Sequence, residues 1–298
     1  MRSLLVILIV FSSTQTWAAS CCGGGFAFPA LILGDDKAQL TTSLSYGSVT
    51  DYVYPDGKWT HVNDHNVSST FKIDGALLMT DRTQAGISIP VVYKKVSDET
   101  NSGLGDMALN LGYEILPELS YSAWKPKGLG FLQITLPTSP SVYDATNVFA
   151  ADSRGRGFFA LGTGMIFTKI FGKWDTNASG ELHRSFARSF DSDGAGGAVT
   201  VTPGWGHSIT IGGGWSYGDF RLGSSLSSMY EDGYRVRGAQ DSDGSSQQNM
   251  TWSVIANYML GMESAITLSY ADQTIFGSPE NSNLSKTVTL SYQQRWQR

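Results

Sequence analysis

His183 stands two residues after Glu181 and two before Ser185, so on an extended strand the three side chains share one face. A base in reach of a hydroxyl, with a third group to orient it, is what a hydrolytic nucleophile requires. A row of polar residues on one face of a strand is equally how a hydrated wall is built. His207 and Ser208 are neighbours in sequence, so a strand turns them to opposite faces. In "HVNDHN", His61 and His65 bracket Asp64, and two histidines four apart on a helix can hold zinc when a third ligand is near. The surrounding sequence has no helical period, which favours a solvated polar loop. Cys21 and Cys22 are adjacent and are the only cysteines, so they have no third residue to bridge to. No metal site and no cofactor is expected.

What positions these residues is an alternation with period two that recurs along the chain. "STFKIDGALLM" sets Phe71, Ile73, Leu77 and Met79 against Lys72 and Asp74, and "DMALNLGYEI" sets Met107, Leu109, Leu111, Tyr113 and Ile115 against Asn110 and Glu114. Twelve strands are expected: 37–48, 69–79, 85–93, 106–115, 128–138, 156–171, 173–186, 204–217, 219–231, 249–260, 262–276 and 286–297. The stretch 173–186 is the weakest, because its apolar face is poor. Short connections (81–82, 172–173, 218–219, 261) alternate with long polar ones (55–65, 96–102, 139–155, 188–203, 232–248, 277–285), and only 117–127 breaks the rule. Short turns at one end and long loops at the other are the layout of a transmembrane up-and-down antiparallel β-barrel.

The aromatic residues fit that layout. Tyr113, Phe171, Trp174, Trp215, Tyr217, Phe220, Tyr258 and Trp296 fall toward the short-turn end. Tyr46, Phe71, Tyr93, Trp205, Tyr230, Trp252 and Tyr270 fall toward the long loops. Such belts mark the two interfaces of a membrane. Trp205 and Tyr217 are twelve residues apart on one strand, roughly 28 Å of height at a 45° tilt, close to an apolar band of about 25 Å. On the last strand, "TVTLSYQQRW" (287–296) turns Val288, Leu290 and Tyr292 outward and is tipped by Trp296. It resembles the C-terminal signal read by the barrel-assembly machinery, although Gln297 and Arg298 follow the aromatic.

Composition agrees. Charged residues are 16% of the 298, against roughly a quarter in soluble domains, while Gly numbers 34 and Trp, Tyr and Phe number 8, 13 and 14. Net charge is −5 and no basic patch is visible, which argues against a nucleic-acid partner. Residues 1–20, with Arg2 before the apolar run Leu4–Phe11 and small residues at 18–20, read as a secretory signal peptide. Cleavage after Ser20 would leave Cys21 open to lipid attachment, though Ala18 stands where that pattern usually has Leu. Residues 21–36 carry the triple glycine 23–25 and the apolar run 26–33. They read as a plug for the barrel of 37–298, with Gly212–Gly214 offering a place for close backbone approach.

"GLGDMALNLGYEIL" (103–116) and "KGLGFLQITLPTS" (127–139) resemble a region of outer-membrane proteins of the phenol meta-degradation type, with Ser139 where that family usually has Gly. The resemblance covers about 40 residues and implies a transporter-like barrel that takes up small, often hydrophobic, compounds. The strand period alone turns Lys72, Asp74, Asn110, Glu114, Gln133, Asp175, Asn177, Glu181, His183 and Arg221 into the lumen. There they line a selective constriction or pair across it and close it. The expected function is a bacterial outer-membrane channel for a small solute, with outer-membrane lipid around it. The alternatives are an outer-membrane hydrolase, or a closed barrel whose loops 139–155, 188–203 and 232–248 meet a partner.

Overall fold

The computed structural model describes residues 29–62, 66–118, 122, 124–147, 149–190, 198–238 and 241–298. The expected signal peptide, Cys21, Cys22, Asp64 and His65 lie outside the described residues. In chain order the strands are β1 (Asp36–Val53), β2 (Trp59–His61), β3 (Asn66–Leu78), β4 (Thr83–Val96), β5 (Glu99–Leu104) and β6 (Met107–Leu116). Next come β7 (Lys127–Leu136), β8 (Ala160–Phe171), β9 (Trp174–Ser185), β10 (Arg188–Phe190), β11 (Val199–Thr202) and β12 (Trp205–Tyr217). The last six are β13 (Phe220–Glu231), β14 (Arg235–Arg237), β15 (Ser242–Asp243), β16 (Gln247–Met259), β17 (Ser264–Asp272) and β18 (Ser282–Gln297).

Fourteen strands form one sheet, in which β2 and β5 only extend the hairpins beyond β1 and β4. The remaining twelve run β1-β3-β4-β6-β7-β8-β9-β12-β13-β16-β17-β18, each antiparallel to the next, and β18 returns to pair with β1. This is a closed twelve-stranded antiparallel barrel. The seam is continuous from Asp36↔Gln297 to Val53↔Ser282, with shifts between Asp36 and Ala38 and between Val49 and Asp51. Inside it, the Ser45 and Thr289 hydroxyls share a 2.9 Å hydrogen bond.

The wall is inside out relative to a soluble barrel. On β1, Thr41, Ser43 and Ser45 are buried while Leu40, Leu44 and Tyr46 are exposed, Leu44 at 55% and Ser45 at 0%. β18 repeats this, with Thr287, Thr289 and Ser291 buried and Val288, Leu290 and Tyr292 exposed. An exterior of exposed Leu, Ile and aromatic side chains requires lipid as its solvent, because water would charge about 25 cal/mol for each Å² left uncovered. The tight turns use glycine where the backbone demands it. Gly172 and Gly218 carry φ of 61° and 60° at the first position of two-residue connections, the glycine site of a type II′ hairpin.

The expected strands recur with changed ends. β9 is complete although its outward face is poor, because backbone pairing to β8 and β12 needs no apolar side chain. The stretch expected at 262–276 ends at Asp272, whose carboxylate accepts from the Thr274 N–H at 2.8 Å and from the Thr274 hydroxyl. The stretch expected from 156 begins at Ala160, for a reason given below. The loops expected at 188–203 and 232–248 contain a second sheet, β10-β11-β14-β15, over the long-loop end. Its apolar side joins Phe190 and Val201 to Phe158, with Tyr143, Val199, Tyr234 and Val236 packed around them.

Ile211 tests the lipid-facing reading. It lies midway between Trp205 and Tyr217 and is 57% exposed. Ile211→Arg is expected to destabilise the barrel by about 2–4 kcal/mol in urea titrations in lipid vesicles, while Ile211→Leu stays close to wild type.

Candidate functional site

The lumen is narrowed by two insertions, one at each end. From the short-turn end, residues 29–35 lie against the inner wall, with Ala30, Leu31 and Ile32 buried. Leu31 and Leu33 pack on Leu129, Phe131 and Ile166, three inward residues that form an apolar patch. Gln84 supplies what a neighbouring strand would. Its Oε1 accepts from the Ile32 N–H at 2.6 Å and its Nε2 donates to the Ile32 carbonyl at 3.0 Å. Gly86 and Gly112 make room, since a Cβ on Gly86 would overlap the Ala30 carbonyl and one on Gly112 would press on Leu31 at 2.9 Å. Close approach therefore occurs at Gly86 and Gly112, and not at Gly212–Gly214 as expected. There, Gly212 faces Ser225 and Asn177, and Gly213 faces the Asp175 backbone. At its far end the segment is held by Lys127, whose Nζ donates to the Gly34 carbonyl at 3.2 Å and to Asp35 at 3.1 Å.

From the opposite end, the connection 137–159 folds inward, and Ala151, Asp152 and Ser153 are buried. Its anchor is Asp106, just before β6. Asp106 Oδ1 accepts from the Ser139 N–H at 3.2 Å and the Ser139 hydroxyl at 2.7 Å. Asp106 Oδ2 accepts from the Arg156 N–H at 2.7 Å and the Gly157 N–H at 3.0 Å. These bonds draw 156–157 away from the β8 ladder, which is why β8 starts only at Ala160. They also join the two halves of the motif region, where Ser139 adds a donor that Gly would lack. Lys94 Nζ fastens the middle of the loop, donating to the Ala150 carbonyl at 2.8 Å and the Ser153 carbonyl at 3.3 Å.

The inward set expected from strand parity is on the inner wall, but it is divided among four groups at different heights. Lys72 and Asp74 pair at 2.9 Å, and the Ser88 hydroxyl donates to Asp74 at 2.6 Å. Asn110 and Gln133 face each other across β6 and β7 and are both buried. Near the short turns, Glu114 lies 3.4 Å from Lys127, and Asp175 pairs with Arg221. Near the long loops, His183 Nδ1 lies 3.0 Å from Glu181 and its Nε2 lies 2.8 Å from Glu231, while Arg156 pairs with Glu231 from above. Burial alone would lower the pKa of Arg156, but the Glu231 charge holds it above the ordinary guanidinium value.

Three further candidates are resolved by geometry. Both ring nitrogens of His183 are held by carboxylates, so neither is left to take a proton from Ser185, and the triplet is not a nucleophile with its base. His207 faces outward and stacks on Tyr230 at 5.3 Å, apart from the inward Ser208. His61 is on β2, 3.2 Å from Asp51. Sequence reasoning missed Glu231, Lys94, Arg156 and Asp106. Parity contained the first two, since Glu231 follows Arg221 by an even number and Lys94 follows the outward Tyr93. Nothing in sequence brings Arg156 to Glu231.

No protein-family model matches the chain, and no curated protein matches it. Among solved structures the chain is similar to the COG4313 outer membrane channel from Pseudomonas putida F1, with TM-score 0.67, 15% identity, 89% of this chain and 97% of that one covered. It also aligns with the NanC porin at TM-score 0.49, 8% identity, 86% and 98% covered. The toluene transporter TodX of Pseudomonas putida aligns at 0.47, 11% identity, 88% and 90% covered. At 15% identity the first likeness shows a shared fold, and the two weaker alignments carry no argument.

The anchor at Asp106 has a direct test. Asp106→Ala removes an ionised acceptor shared by four donors, each such bond being worth about 1.5–3 kcal/mol at most. Amide exchange at Ser139, Arg156 and Gly157 is expected to quicken at least about tenfold, with Asp106→Asn in between and the barrel core unaffected.

Proposed function

We propose that the chain is an outer-membrane channel through which a small solute passes passively. The observation that carries this reading is a water-accessible vestibule at the short-turn end. It is a cavity of about 370 Å³ lined by Lys169, Asp175, Asn177, Arg221, Asn257 and Arg295 among others, with Leu33 and Gly34 of the inserted segment on one side. The segment covers the β4–β8 side of the lumen and leaves this opposite side open. Above it stands the Glu181–His183–Glu231–Arg156 layer, in which charges of both signs meet at one height. Such a layer sets selectivity by size and charge. The description of a structurally similar protein as an outer membrane channel supports the same reading.

In this reading residues 29–35 act as a plug at one end and the ionic layer as a filter at the other. The surrounding partners are outer-membrane lipid and, during insertion, the assembly machinery, which would read the β18 alternation ending at Trp296. The energetics suit a movable plug more than a fixed core. Leu31 and Ile32 gain about 1.5–3 kcal/mol each from burial, and the two Gln84 bonds add about 1 kcal/mol apiece. Ordering seven backbone residues costs about 1–2 kcal/mol each, as much as these gains or more, so the segment also depends on the Leu33 contact and the Lys127 bonds to stay in place.

Single-channel recording in planar bilayers tests the proposal on the purified protein and on a version lacking residues 21–36. Stepwise openings are expected in both, larger and longer without the segment. Silence in both would sink the channel. Glu231→Gln, which removes a negative charge from the filter and frees Arg156, is expected to raise current and move ion preference toward anions. An unchanged preference would remove the layer from the pathway.

A further inference from the structure

The vestibule at the short-turn end carries more cations than acids. Lys169, Lys173, Arg221 and Arg295 line it, against Asp175. Three of these cations are answered by neighbours. Lys169 pairs with Glu118, Lys173 lies 5.1 Å from the centre of the Tyr217 ring, and Arg221 pairs with Asp175. Arg295 is different. Its Nη2 donates to the Met262 carbonyl at 3.2 Å and lies 3.4 Å from Met259 Sδ. Its Nε is buried and has no acceptor among the described residues. Asp36 attracts it without pairing, so its charge is not met by contact with any described carboxylate.

Register sets the two guanidiniums on either side of one strand. Arg221 of β13 is paired with Asn257 of β16, and Arg295 of β18 reaches over β17 to Met259, two residues further along β16. The other wall of the vestibule is apolar. Ile170 is in register with the inward Asp175, so its side chain enters the lumen, where it is 63% exposed. Leu33 and Ile166 stand on the same cavity wall. An isoleucine left in a wet vestibule forgoes burial worth about 1.5–3 kcal/mol, part of which an alkyl chain lying on it restores. The vestibule thus offers an unanswered guanidinium and an uncovered apolar side chain.

We infer that the vestibule is a binding site for a small aliphatic monocarboxylate. The planar guanidinium of Arg295 takes the carboxylate through paired N–H donors, and the short alkyl chain covers Ile170 and Leu33. A cation would meet the excess of positive charge. A neutral molecule would leave Arg295 unanswered, and a dianion would set its second carboxylate against Asp175. The volume of about 370 Å³ falls within the range of about 300–1,000 Å³ common for small-ligand sites. As a statement about the transported solute this rests on the channel reading above, since it names the solute class held at the short-turn end of the pathway.

The test is a ligand-observed NMR titration of the whole protein in lipid nanodiscs, with empty discs subtracted. The probes are butyrate, acetate, 1-butanol, butylammonium and succinate. Butyrate is expected to bind most tightly. Arg295→Gln is expected to weaken it at least about tenfold, the value of one charge-assisted hydrogen bond. Arg295→Lys falls in between, because lysine keeps the charge and loses the fork. Ile170→Ser is expected to leave acetate unchanged and to remove the advantage of butyrate over it. Heat-modifiable migration confirms that each variant is folded, and Ile170→Ser carries the test alone if Arg295→Gln does not fold. Butanol, butylammonium or succinate binding as tightly as butyrate overturns the assignment. So does butyrate binding that is unchanged in Arg295→Gln, or a preference over acetate that survives Ile170→Ser. Bilayer recording on the same preparations separates the two readings. A protein that conducts but does not bind butyrate refutes the site alone. One that binds butyrate, loses it in Arg295→Gln and never conducts refutes the channel and leaves a binding barrel.

Discussion

A sheet in hydrocarbon can leave no backbone N–H or C=O unpaired, and the pairing of β1 with β18 meets that demand. Closure then fixes everything else about where side chains go. Alternate residues must face lipid, so they are Leu, Ile, Val, Tyr and Trp. The others must face a narrow interior, so they are Ser, Thr, Asn, Gln and paired charges. Polar groups brought together in that interior have to satisfy one another. The grouping of Lys72 with Asp74 and Ser88, and of His183 with two glutamates, follows from this need. The interior is thus a set of local solutions to one problem of hydrogen bonding at different heights.

Within that largely polar interior Leu129, Phe131 and Ile166 form an apolar patch, and residues 29–35 cover it. The two ends of the lumen are therefore narrowed by different physics. One insertion is held by apolar contact and a side-chain amide, with the exposed Lys127–Asp35 ion pair at its end. The other is held largely by carboxylates and cations, and the desolvated setting of Arg156 and Glu231 strengthens those contacts.

Period two made the barrel, its strand count and its inner face legible from sequence, because closure in lipid enforces alternation over whole strands. What was not legible has physical reasons. The second sheet is made of strands two to four residues long, too short for any period to show. Strand ends depended on side-chain competition for backbone donors, as at Asp272 and Asp106. Parity placed Glu181 and His183 correctly on the wall but carried no distance across it. It therefore could not distinguish a serine partner from Glu231, 48 residues away. The apolar run before β1 was readable as a segment that needs cover from water, yet its seat was not. Gly86 and Gly112 look in sequence like any glycine in a strand.

The Asp106 anchor divides its four donors unevenly: three are main-chain amides of Ser139, Arg156 and Gly157, and one is a side chain. Main-chain amides are present whatever residue stands at those positions, proline apart. One carboxylate can therefore keep the loop in place while the loop's own side chains change. Positions such as Val142, Tyr143 and Phe158 are free to drift toward other shapes without loosening the fastening. The fold thereby separates what must be inherited from what can be varied. The loop side chains can thus change with the architecture untouched.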